Sequence, residues 1–103
     1  MDISAPLGAK VCAISGGVVR DIQNDDMMGT GIIIEHDKTL SSVYENLAGT
    51  VNVKIGDKVS AGQVIGTVGG SAAAESGDPS HLHLEVIKNG VRVDPATVLP
   101  KSS

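Results

Sequence analysis

His81-Leu82-His83-Leu84-Glu85-Val86-Ile87-Lys88, followed by Asn89-Gly90 and then Val91-Arg92-Val93, is the stretch that decides the fold. An Asn-Gly pair flanked by apolar residues is a strong hairpin signal, because both central positions of the tight turn need positive φ. The reading is a strand over His81 to Lys88, a turn, and a returning strand over Val91 to Val93. Residues two apart in a strand share one face, so the imidazoles of His81 and His83 are expected to project the same way.

Working outward, Gly and Pro recur about every eight to twelve residues, with short segments rich in branched side chains between them. Further strands are predicted near Lys10 to Ile14, Gly17 to Asn24, Gly31 to His36, Leu40 to Asn46 and Gln63 to Val68. A second turn is signalled at Ile55-Gly56-Asp57-Lys58, and Pro95 to Leu99 is read as a single helical turn. The run Gly69 to Pro79 is small, polar and turn-rich, so it reads as a surface loop leading into the histidines. Met27 and Met28, beside Gly29 and after Asp25 and Asp26, are read as a hairpin tip.

The chain has 103 residues, 41% of them hydrophobic, with no Phe, no Trp and one Tyr. That length fits one domain, expected over residues 1–100 with 101–103 as a tail. Its core must be built from Val, Ile, Leu and Ala, which favours pleated surfaces. The formal charge of −4 is scattered, without a basic run or an aromatic platform, so nucleic acid is excluded as an expected partner. No apolar stretch approaches the roughly 20 residues that a bilayer-spanning helix needs. The lone Cys12 forbids an intrachain disulfide and is expected to be a small buried residue inside a strand. Met1 is followed at once by Asp2 and turn residues rather than by a basic and then an apolar region. No signal peptide is read there, and the start is expected to be a cut through a longer protein.

Several segments together resemble the lysostaphin-type (LytM, M23) peptidases. Asp2-Ile3-Ser4-Ala5-Pro6-Leu7-Gly8-Ala9-Lys10-Val11 is similar to the end of the family's first motif, where His-x-x-x-Asp runs into Ala-Pro-x-Gly-x-x-Val. Gly16-Gly17-Val18-Val19 resembles the next strand. Gly31 to His36 and then Leu40 to Leu47 resemble the strand pair ending in Tyr-x-His-Leu. Val53 to Gly66 is similar to Val-x-x-Gly-x-x-Val-x-x-Gly-Gln-x-Ile-Gly, and His81 to Val86 with Asn89-Gly90 and Asp94-Pro95 resembles the closing His-Leu-His-Phe-Glu segment. The resemblance implies an all-β fold: a compact antiparallel β-sandwich of the barrel-sandwich type, with a groove across one sheet.

It also implies a zinc site in which Asp2 and His83 are ligands and His81 is one of two catalytic histidines. Two positions depart from the pattern. The first-motif histidine would lie before Asp2, outside the chain, so the implied zinc site is incomplete. Asn46 stands where the second catalytic histidine is expected, and an amide cannot take or give a proton at neutral pH. Loss of such a group typically lowers rate by about 100-fold to 10,000-fold. His36 is expected to be a surface residue outside the metal site, and Glu85, sharing His83's face, is either an exposed carboxylate or a hydrogen-bond partner of an imidazole.

The combined reading is a degenerate, non-catalytic bacterial cell-envelope domain that binds protein or peptidoglycan, from a longer membrane-anchored or secreted protein. Tyr44-Glu45-Asn46-Leu47, with the long loop before His81, further resembles the stage II sporulation Q proteins of spore-forming bacteria. Their LytM-like domain pairs with a partner's domain to build a channel between mother cell and forespore. The alternative is a zinc endopeptidase cutting peptidoglycan cross-bridges. A third class, the biotinyl and lipoyl carriers, shares the glycine texture of Gly56 to Gly66 but needs a Met-Lys-Met turn that the sequence lacks. An unpaired strand edge also leaves room for a homodimer.

Overall fold

A computed structural model of the chain describes residues 2–4, 8–25, 29–49, 51–69 and 81–93. Every regular element among them is a strand: β1 (Asp2–Ser4), β2 (Lys10–Cys12), β3 (Gly17–Asp25), β4 (Gly29–Glu35), β5 (Leu40–Leu47), β6 (Lys58–Val59), β7 (Val64–Thr67), β8 (His81–Lys88) and β9 (Val91–Val93). Pairing is antiparallel throughout. One seven-stranded sheet runs β1-β8-β5-β4-β3-β6, with β9 beside the second half of β8, and β2 with β7 forms a separate two-stranded sheet.

The Asn-Gly turn forms as read: Asn89 and Gly90 take φ of 53° and 77°, the doubly left-handed combination of the tight hairpin. It joins β8 to β9 in a register that pairs Lys88 with Val91. Gly56, at the second signalled turn, has φ 94°. The expected helical turn over Pro95 to Leu99, most of the loop Gly69 to Pro79, and the Met27-Met28 tip lie outside the described residues.

The core lies between the two sheets. Val19, Ile32, Ile34, Tyr44, Leu84 and Val86 of the large sheet are buried, as are Val11 and Ile65 of the small one and Val68 next to it. Alternation sends every second residue to the opposite face. On that outer face lie Ile33 of β4, Val43 and Glu45 of β5, and His83, Glu85 and Ile87 of β8, all half-buried. The sheets are also joined directly through a bridge between Leu47 and Val68.

Cys12 corrects one expectation. In β2 only the central Val11 turns inward, so Cys12 is exposed. His36, expected at the surface and outside the metal site, is half-buried and heads a polar chain that enters the core. Its Nδ1 lies 2.8 Å from the carbonyl oxygen of Gly16 and its Nε2 lies 2.7 Å from Ser42 Oγ. Ser42 Oγ is in turn 2.7 Å from the Tyr44 hydroxyl, which accepts a 3.0 Å hydrogen bond from the backbone N–H of Ile14. The only Tyr of the chain thus sits fully buried with its polar end satisfied.

Candidate metal site on the outer face of the large sheet

Register on either side of β8 sets the geometry of the site. Asp2 of β1 stands directly opposite His83, and on the other flank Glu45 of β5 is its partner. Strand β8 thus places one imidazole between two acidic positions in a single lateral row. One step along, Glu85 shares the face of His83 and pairs with Val43.

The side chains close on one another. His83 Nε2 is 3.5 Å from Glu85 Oε1, and the Arg92 guanidinium reaches the same oxygen at 3.3 Å. Ligand atoms of Glu45, His83 and Glu85 all lie within 4.8 Å of one another. His83 is 27% and Glu85 17% exposed at the side chain, so this cluster is half-buried. Of the two options left open for Glu85, the geometry gives the one that touches the imidazole. His81 opens β8 opposite Ser4, two residues from His83 on the same strand.

Beside the cluster lies a depression of about 100 Å³ lined by Gln23, Gly29, Gly31, Ile33, Val43 and Glu45. Its floor is low because Gly29 and Gly31 carry no side chain. A Cβ on Gly31 would lie 3.6 Å from Glu45 Cγ, an ordinary van der Waals contact.

Asn46 lies next to this row but in a different setting. Between β4 and β5 the register jumps from Thr30–Leu47 to Ile32–Tyr44, so Gly31 alone faces both Glu45 and Asn46. In this bulge Asn46 takes φ 69° and is only 1% exposed. The left-handed region strongly disfavours most residues, and Asn, Asp and His are those that enter it most readily. The backbone at this position therefore suits an asparagine and a histidine alike.

Glu45 is the member of the cluster that sequence reasoning missed. Its signal was its parity with Val43, but placing it against His83 requires the β5–β8 register, which joins segments far apart in the chain.

Comparison with known proteins assigns this architecture. Residues 1–95 match the model of Peptidase family M23. The chain belongs to that family. It is 35% identical over 102 residues to the peptidoglycan DD-endopeptidase ShyC of Vibrio cholerae, covering 98% of this chain and 23% of the relative. It is 37% identical over 89 residues to stage II sporulation protein Q of Bacillus subtilis, covering 86% of this chain and 30% of that one. The chain thus spans less than a third of either curated relative. Among solved structures, LytU superposes with a TM-score of 0.81 at 31% identity, covering 91% of this chain and 66% of that one. The SpoIIQ–SpoIIIAH pore-forming complex superposes with a TM-score of 0.72 at 35% identity, covering 82% and 52%. The all-β antiparallel fold and the M23 relationship expected from the sequence both hold.

Proposed function

We propose that this M23 domain is a non-catalytic module of the bacterial cell envelope that uses the outer face of its large sheet to bind a protein or peptidoglycan. The observation that carries the reading is Asn46. The family resemblance calls for a proton-transferring imidazole here, and the chain supplies a buried amide, which has no titratable proton near neutral pH. The chain's 37% identity to stage II sporulation protein Q, and its likeness to the SpoIIQ chain of a pore-forming complex, favour an envelope protein as the partner.

The residues at hand nevertheless fit a zinc ion. Zinc takes imidazole nitrogen and carboxylate oxygen, and His83 has Asp2 opposite it and Glu45 and Glu85 close by. Asp2 and His83 would hold the ion, which when bound supplies Lewis acidity to a water or carbonyl. Without a second proton-transfer group beside it, such an ion serves structure or ligand capture. The competing reading, a zinc endopeptidase, draws on the 35% identity to ShyC and on the intact Asp2–His83 pairing.

Digestion of purified peptidoglycan with zinc-loaded protein, read as release of soluble fragments, separates the two. No release is expected from the protein or from Asn46→His. Sustained release by the unaltered chain would overturn the non-catalytic reading.

A further inference from the structure

We propose that Glu45 is a ligand in a divalent transition-metal site shared with His83, with Glu85 as the carboxylate that orients the imidazole. This rests on the reading of the outer face as a metal-capable site, and it assigns a residue that the family resemblance leaves without a role.

The donor set comes first. Carboxylate oxygens of Glu45 and Glu85 and a nitrogen of His83 lie within 4.8 Å of one another, all half-buried. Two carboxylates this close repel, and partial burial weakens the screening that would make the repulsion harmless. Among the described residues, Glu85 has the Arg92 guanidinium and the His83 ring beside it, and no cationic side chain pairs with Glu45. A cation between Glu45 and His83 relieves this imbalance.

The division of labour follows from the partners. A metal-bound histidine commonly donates its other ring N–H to a carboxylate, which fixes the ring and makes it a better ligand. Glu85, whose Oε1 lies 3.5 Å from His83 Nε2 and 3.3 Å from the Arg92 guanidinium, is placed for that task. Glu45 approaches from the β5 flank of β8, carried by the neighbouring strand. Asp2 occupies the register position opposite His83 on β1, the other neighbour of β8. An imidazole nitrogen with carboxylates selects zinc-like ions over calcium or magnesium, which prefer all-oxygen sites.

The test is calorimetric titration of the metal-free protein with Zn²⁺, run on the chain and on Glu45→Gln, Glu85→Gln and His83→Ala, with circular dichroism confirming that each variant keeps its strands. One-to-one binding is expected, abolished in His83→Ala, weakened more than about 100-fold in Glu45→Gln, and weakened about 10-fold to 100-fold in Glu85→Gln, the range for an orienting partner. Co²⁺ substitution adds a second readout, because loss of the Glu45 ligand alters the visible spectrum while loss of an orienting group mainly alters affinity. Equal affinity and an unchanged Co²⁺ spectrum in Glu45→Gln would overturn the proposal, as would the absence of Zn²⁺ binding by the chain. Either result leaves the non-catalytic reading standing, since that falls only to peptidoglycan release.

Discussion

Tyr44 concentrates more of the molecule's polar logic than any other side chain. A carbonyl oxygen can only accept, so His36 Nδ1 must donate to Gly16, while Nε2 meets the Ser42 hydroxyl. Ser42 Oγ donates to the Tyr44 hydroxyl, which also accepts from the N–H of Ile14. Tyr44→Phe breaks the chain at its centre and leaves the Ile14 N–H without its acceptor. The expected cost is about 1–3 kcal/mol, measured by urea unfolding. A pH dependence follows from the same residue. Burial pushes the Tyr44 hydroxyl above its ordinary pKa, with the hydrogen bonds from Ile14 and Ser42 pulling weakly the other way. The folded state therefore keeps this proton where the unfolded chain gives it up. Its contribution is complete below about pH 10 and falls as pH rises from there through the higher folded value. Stability of the unaltered protein should drop more steeply than that of Tyr44→Phe in alkaline titration, and parallel curves would refute the assignment. Asn46 behaves differently. Because its left-handed backbone also admits histidine, Asn46→His should fold with little loss of stability, so a failure to cleave peptidoglycan can be attributed to chemistry.

Among the elements, the junction of the two sheets is closely packed. Gly69 follows the Leu47–Val68 bridge and donates its N–H to the Asn46 carbonyl at 2.8 Å. A Cβ there would lie 2.7 Å from both the carbonyl carbon and oxygen of Leu47 and 2.8 Å from the N of Ala48, all of them backbone atoms. Gly69→Ala should therefore destabilise by about 3 kcal/mol or more, whereas Gly49→Ala, with open space around its added carbon, should be nearly neutral in thermal unfolding. Comparable melting of the two variants would show that the bridge yields easily. The elements also show what sequence could and could not reveal. Strands β3, β4, β5, β8 and β9 were legible because branched residues fill them and Asn89-Gly90 fixes one hairpin outright. Strand β1, three residues long, and β6, two residues long, carry no periodicity and exist through their neighbours β8 and β3. Cys12 was misplaced because a three-residue strand gives parity no length over which to declare itself. Asp2 and His83 were readable as a pair from motif alone. Glu45 was not, because its meeting with His83 is set by the non-local pairing of β5 with β8.

At the scale of the molecule, the candidate site is a clasp across three strands, since Asp2, His83 and Glu45 come from β1, β8 and β5. Strand β1 has only three residues and pairs with β8 alone, so, like the two-residue β6 at the opposite edge, it is held by few backbone bonds. A metal ion bound to this row would add a link at this thin edge, and any ligand that prefers the folded state raises its stability by mass action. At a free Zn²⁺ concentration about 100 times the dissociation constant, the gain is about 2.7 kcal/mol. For a domain of roughly this size that corresponds to a rise of about 10–20 °C in melting temperature. His83→Ala should melt at the same temperature with and without zinc. Hydrogen exchange then locates the effect. Zinc should slow the amides of Asp2, Ile3 and Ser4 more than those of β3, which lies on the far side of the sheet. Slowing in β5 and β8 without any change in β1 would mean that Glu45 and His83 hold the ion without Asp2, leaving the first-motif carboxylate outside the site.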